Sequence, residues 1–358
     1  MDFGRREEGG DGCELVGEEM ATLVGNGILV GFVGQAALSL GLSAWVFFLT
    51  THGNMDIVHP EGSIHREIER KRLHFVSSIL MIGSDIQSTL GIAYMITVFA
   101  QAEIIDTYHL HLVFDIVSFV GVSNTAALVC WRFCRAKLDE PHNSKHRTKR
   151  ISERIIHPHG RYRATFMYTV LYLVLTILLC VRLDDWSPNK APGRCYHSHL
   201  VTNAAASHPY SDKIYVAITS SWLIAVLLAS VFGGVRRRHT ILILSSLHFP
   251  LHLYMALALR QANQGKFEGE PKHENEWDFG QTTAVVLLGI SVTELLTKGK
   301  EYYDFEKSVV KHGLPRHGSN RSLQEAGEGN RDNCLLERLP TDQNTPRERL
   351  LVGEHAES

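Results

Sequence analysis

Asp85, His111, Asp115, His248 and His252 stand in stretches that are otherwise almost wholly apolar. An ionisable side chain is expensive in hydrocarbon, so it faces the interior of a bundle or a water-filled cavity and marks a candidate site. Asp85 lies in GSDIQSTLG, residues 83–91, with Ser84, Gln87 and Ser88 around it. Near mid-span, this carboxylate reads as a proton-handling or ligand-binding group, and equally as part of an interhelical hydrogen-bond lock. Gly83 and Gly91 on the same segment allow close helix approach. His111 and Asp115 are four residues apart and share a helix face. A histidine oriented by a carboxylate can move a proton; the same pair at the membrane boundary would only fix helix depth. Ser118 and Asn124 follow more deeply on that segment.

His248 and His252 flank Pro250, which loosens the helix between them. Their spacing suits metal ligation, but two histidines do not complete a metal site, and no metal or cofactor is expected. Asp85, Gln87, His111, Asp115, Asn124, His248 and His252 thus form the candidate site, on the condition that the fold brings them together. Thr219, Ser220 and Ser221 read as hydroxyls bonded back to helix carbonyls. The acidic pair Asp184–Asp185 stands at a span boundary, where it could hold magnesium or simply meet water. The last apolar segment has no lysine before Lys298, so it offers no mid-membrane Schiff base.

The elements that must position these groups are membrane-spanning helices. The 358 residues are 44% hydrophobic, carry a net charge of -2, and on average resemble a soluble chain. The apolar residues are nevertheless gathered into seven runs, over 23–49, 75–99, 110–131, 164–182, 214–235, 240–259 and 282–297. About 20 apolar residues cross a bilayer, so the fold class expected is all-α, a polytopic membrane protein with a seven-transmembrane-helix bundle. The near-neutral charge argues against nucleic acid as a partner. P-loop, GxGxxG, HExxH and GxSxG patterns do not occur.

Charge predicts the orientation. The connections after runs one, three and five hold 17 Lys and Arg, against 7 in the alternate connections. Positive residues stay on the cytoplasmic side, which puts the N-terminus outside and the C-terminus in the cytoplasm. Residues 1–22 then form an outer or lumenal segment, 23–299 the transmembrane domain, and 300–358 a cytoplasmic tail expected to be largely disordered beyond a short helix. Asn320, in a glycosylation sequon, would lie inside and stay unmodified. Cys13 and Cys195 would share the oxidising side and could pair, and Trp186 and Tyr196 read as interface anchors. The bilayer is the partner expected of such a chain; a lipophilic small molecule and a cytoplasmic protein held by the basic loops or tail are further candidates.

Three segments carry a resemblance. GSDIQSTLG, the run YHLHLVFDIVSFVGVSN from Tyr108 to Asn124, and Trp277-Asp278-Phe279-Gly280-Gln281 ahead of the last span are similar, in order and spacing, to a group of uncharacterised fungal seven-helix integral membrane proteins. The resemblance covers about 23–300. Leu110 stands where that group often has a tryptophan, and Ser123-Asn124-Thr125 departs from its central motif. The group brings a fold and no activity. Four classes of function stay open: a receptor or sensor; a membrane-embedded enzyme, such as a cyclase or isomerase, acting on a lipophilic metabolite; a proton-coupled small-solute transporter; and a purely structural membrane protein.

Overall fold

The computed structural model describes residues 16–17, 20–51, 56–60, 62–138, 160–186, 193–198, 200, 209–234, 237–267 and 277–312. The chain divides into a unit of residues 1–307, which holds the bundle, and a second of 308–358. The described residues form helices and no strands: α1 (Ala21–Val24), α2 (Asn26–Thr51), α3 (Ile64–Ala100), α4 (Thr107–Leu138), α5 (Gly160–Asp184), α6 (Tyr210–Phe232), α7 (Arg238–Asn263) and α8 (Phe279–His312). The seven from α2 to α8 are each long and apolar enough to cross a membrane. The chain is therefore built as an integral membrane protein, because only helices satisfy their own backbone groups segment by segment in lipid.

Two helices outrun the apolar segments that announced them. α3 begins at Ile64, well ahead of residue 75, where Ser63 Oγ accepts a hydrogen bond from the Arg66 amide at 3.2 Å and Glu67 sits in the first turn. That cap starts a helix whose first three turns are charged and suit an aqueous border. α8 likewise runs without a break through Tyr302 and Tyr303 to His312.

α4 is the axis. Every residue from Thr107 to Trp131 is buried, and α2, α3, α5, α6 and α7 all pack against it. A helix that is apolar all round needs such a sheath. Close approach is local: a Cβ on Gly91 of α3 would lie 2.9 Å from Val120 of α4, whereas Gly83 meets nothing within 4 Å and serves no such contact. α8 lies against α2 along Gly27, Gly31 and Gly34, with Gln281 and Ala284 opposite the first two and Leu288 opposite the third. The Gly27 amide also donates to Gln281 Oε1 at 3.0 Å.

The alternate ends of the helices gather into two faces. At one, Asn263 is joined to His197 in both directions at 2.7 Å, the Thr107 amide donates to Gly193 O at 3.1 Å, and Arg260 donates to Val24 O at 3.2 Å. This is the Cys195 face. At the other, Lys137 pairs with Asp56 at 2.9 Å, Arg132 donates to Ser230 O and to Gly233 O, and Arg72 donates to Tyr302 at 3.1 Å. This is the Arg161 face.

Cys195 is disulfide-bonded, while Cys130, Cys134 and Cys180 are free thiols. The expected partner Cys13, the outer segment before Val16, most of the basic connection 139–159, the Asn320 sequon and the tail beyond residue 312 lie outside the described residues.

Candidate functional site

The buried polar residues fall into two layers. The first lies toward the Cys195 face and centres on Asp115, eight residues into α4 and so roughly 12 Å from that helix end. Asp115 Oδ1 is 2.7 Å from Nδ1 of His252 on α7 and accepts from the Tyr215 hydroxyl of α6 at 2.9 Å. Tyr215 and His252 are themselves 3.0 Å apart. Three helices are thus tied by one triangle of polar atoms, with Asp115 and His252 wholly enclosed.

His111, one turn earlier on α4, does not take Asp115 as its hydrogen-bond partner. The expected local pair gives way to long-range ones, because the facing helices offer Asp115 both an imidazole and a phenol. His111 Nδ1 instead lies 3.0 Å from the Tyr196 hydroxyl, and its ring stands 5.9 Å from that of Tyr215. Tyr196 comes from the loop before α6. It donates to Asp212 Oδ2 at 3.0 Å, and Ser198 donates to Asp212 Oδ1 at 2.8 Å. Burial, then the adjacent Asp212 carboxylate, pushes the Tyr196 phenol well above its ordinary value, so it holds its proton and donates. His111 Nδ1 must then be the donor to Tyr196, which leaves Nε2 as the bare nitrogen of that ring.

The same reasoning assigns the other two histidines. His248 Nε2 lies 3.1 Å from the Thr219 carbonyl, which only accepts, so Nε2 carries hydrogen and Nδ1 is bare. In His252, Nδ1 faces the carboxylate and Nε2 points away from it. His111 Nε2, Asp115 Oδ2, His248 Nδ1 and His252 Nε2 are all buried without a hydrogen-bond partner. With neutral imidazoles and an ionised Asp115 these four atoms are proton acceptors, and the Trp222 indole N–H beside them is a spare donor. Aromatic rings seal it: Phe114 is 5.7 Å and His248 5.5 Å from the His252 ring, and Trp222 stands edge-on to His248 at 4.6 Å.

The second layer, nearer the Arg161 face, holds groups that do not titrate. Gln87 Nε2 donates to Phe32 O at 3.2 Å, and Ser123 Oγ donates to Gln87 Oε1. Asn124 accepts from Ser84 at 3.2 Å and donates to Thr165 at 3.0 Å, and Ser245 donates to Val122 O at 2.9 Å. Such bonds clamp α2 to α3, and α3, α5 and α7 to α4, and supply helix-to-helix adhesion that lipid-like side chains cannot.

Asp85 belongs to neither layer. Its side chain is 49% exposed and pairs with Arg161 at 3.2 Å, in the first turn of α5. Asp85 stays near the middle of α3, roughly 31 Å from one end and 22 Å from the other, but its side chain turns out of the bundle instead of into it. Arg161 also lies over the Trp131 ring at 5.0 Å. Trp186 and Tyr196 are buried rather than interfacial, and Asp184 is paired with Lys213.

The structure therefore unites His111, Asp115, His248 and His252, joins Gln87 and Asn124 in a separate clamp, and leaves Asp85 outside both. Sequence reasoning missed Tyr196, Asp212 and Tyr215. The polar start of α6, with Asp212 and Tyr215 three residues apart, was the available signal. Among the described residues, no group of three His, Cys, Asp or Glu converges as a metal set. Neither a protein-family model, nor a curated protein, nor a solved structure matches the chain.

Proposed function

We propose that the chain is a seven-helix membrane sensor that responds to protonation from the Cys195 face. The observation that carries this reading is the set of four bare proton acceptors in one enclosed junction of α4, α6 and α7. Adding a proton there changes the charge on a contact that holds three helices together, and a buried histidine beside a carboxylate is a recurring form of pH switch. Ser198, Asp212, Tyr196 and His111 form a hydrogen-bonded side-chain path from the loop before α6 toward that junction.

The arrangement favours a sensor over a transporter or an enzyme. A proton-coupled transporter needs carriers on both sides of its site, and the next layer, Ser84, Gln87, Ser123, Asn124, Thr165 and Ser245, does not titrate. A membrane-embedded enzyme needs a pocket where substrate meets the acid and base, and the Asp115 layer is packed shut. The basic connections and the oxidised Cys195 both support an outward Cys195 face and a cytoplasmic Arg161 face. A cytoplasmic protein that meets the basic face is the partner such a sensor requires.

Trp222 beside His248 supplies the test. Protein reconstituted in vesicles in one orientation is exposed to acid on either side, and the fluorescence difference between the native chain and Trp222→Phe is recorded. The expected result is quenching when the Cys195 side is acidified and none when the Arg161 side is. Asp115→Asn should displace that response. Equal response to acid on either side would point to a transporter, and no response at all would sink the sensor.

A further inference from the structure

The helices around α4 leave a groove on their outer side. α2, α3 and α8 leave a groove of about 600 Å³ on the lipid side of the bundle, lined by Leu42, Trp45, Phe75, Leu296, Lys300 and Tyr303 among others. Beside it, sharing Leu42, Ile79 and Leu295 as a wall, lies a pit of about 20 Å³ bordered by Gln35, Ser39, Gly83 and Ser291. That is room for about one water molecule or one hydroxyl group.

The lining is specific where it is polar. Gln35 is 3% exposed, and both its amide nitrogen and its amide oxygen lack a hydrogen-bond partner. A buried amide left so costs stability, and such a group calls for an occupant. A single group that accepts from Nε2 and donates to Oε1 is a hydroxyl. At the other end Lys300 is the one charged residue of the lining. It lies nine residues beyond Ser291 on α8, so roughly 14 Å separates the charged mouth from the pit. The apolar wall between them faces hydrocarbon and will be covered by a chain of some kind.

We propose that this groove binds a single-chain anionic amphiphile with a hydroxyl partway along its chain, of the hydroxylated fatty-acid class. The carboxylate pairs with Lys300 at the membrane border. The chain lies against Trp45, Phe75 and Leu296, and the hydroxyl enters the pit to bond Gln35. The site is separate from the Asp115 layer and does not depend on the sensor reading.

The glycines of the groove allow a clean test. A Cβ at Gly83 or at Gly299 would meet nothing within 4 Å, so larger side chains there fill the groove without a collision. The purified full chain in detergent is titrated with ricinoleate, with oleate, which lacks the hydroxyl, and with methyl ricinoleate, which lacks the charge. Binding is read by calorimetry and, in parallel, by quenching of Trp45 with a brominated fatty acid. Ricinoleate should bind at least tenfold more tightly than either comparison ligand. Gln35→Leu should erase the preference over oleate alone, and Lys300→Gln the preference over the ester alone. Gly83→Leu and Gly299→Phe should each weaken ricinoleate at least tenfold while the melting temperature holds. Equal affinity for the three ligands overturns the proposal and leaves a water in the pit. So does unchanged ricinoleate binding in the glycine variants, or a dimer that Gly299→Phe dissociates, which would make a second copy the occupant.

Discussion

His252 Nδ1 and Asp115 Oδ1 stand 2.7 Å apart with both side chains sealed from the surface, and they join helices whose sequence positions differ by 137 residues. Charge-assisted bonds are stronger than neutral ones, particularly in a dry site. Polar contacts between membrane helices average only about 0.6 kcal/mol in double-mutant cycles, because the separated helices find other partners. The triangle with Tyr215 should exceed that average. A cycle built from Asp115→Asn and His252→Phe, followed by thermal unfolding in detergent, should give a coupling of about 1–2 kcal/mol, near the top of the measured range. A coupling near zero would make the contact incidental.

Asp85 and Arg161 should respond asymmetrically. Their bridge is partly exposed, and such bridges are worth at most about 1 kcal/mol. Asp85→Asn should therefore be tolerated, since Arg161 keeps Trp131. Arg161→Leu removes the bridge and the contact with the Trp131 ring together, the second worth about 0.5–1 kcal/mol more. Yield of membrane-inserted protein for the two variants checks this; equal losses would contradict it.

Glycines on α2 divide by what they face. Gly31→Ala places its Cβ 2.7 Å from the Ala284 Cβ and 2.8 Å from the Ala284 backbone, so α8 must move away. Overpacking of this kind costs about 1–3 kcal/mol. Gly41 faces nothing within 4 Å, and Gly41→Ala should gain up to about 1 kcal/mol from helix propensity. Opposite shifts in melting temperature are expected, with α8 more readily cut by protease in the first variant only.

Tyr196→Phe should cost about 1–3 kcal/mol, because Asp212 Oδ2 and His111 Nδ1 lose a shared partner. The phenol's proton is held more tightly in the folded chain than in the unfolded one. Its contribution is then fully present below pH 10, the ordinary tyrosine value, and declines as pH rises beyond it. Stability curves of the two proteins should run parallel at neutral pH and converge in alkali. A gap that widens above pH 10 would reverse the assigned donor.

The orientation is open to labelling. In intact cells, a cysteine placed at Trp277 should react with an impermeant maleimide, and one at Asp56 only after permeabilisation. Both native side chains are accessible in the fold. The reverse pattern would invert the membrane topology.

Much of this architecture was legible in the sequence because lipid imposes one local rule: long apolar runs become helices. All seven runs did. Their ends were less legible, since Ile64 to His74 is charged and gives no apolar signal, yet Ser63 caps it into α3. The site was half legible. His111, Asp115, His248 and His252 were visible as costly residues in apolar surroundings. Their pairing was not, because it depends on which helices flank α4, and nothing local in HLHLVFD says that Asp115 turns to α7 instead of His111. Asp85 misled for a related reason: its place along the apolar run does not say which way the side chain faces, and it faces out to Arg161.

The enclosure of α4 on all sides also bears on how the protein is made. α4 is synthesised before α5, α6 and α7, so Asp115 reaches the membrane well ahead of Tyr215 and His252. At 5–20 residues per second, the 137 residues between Asp115 and His252 take on the order of ten seconds to appear. Until the later helices follow, the carboxyl has neither Tyr215 nor His252, only α2 and α3 can cover α4, and a segment destined never to touch lipid must be kept from it on its other sides. Of the seven helices, α4 is the one for which a chaperone of the insertion machinery has the most to do, and a nascent chain halted between α4 and α6 is where its grip should be strongest.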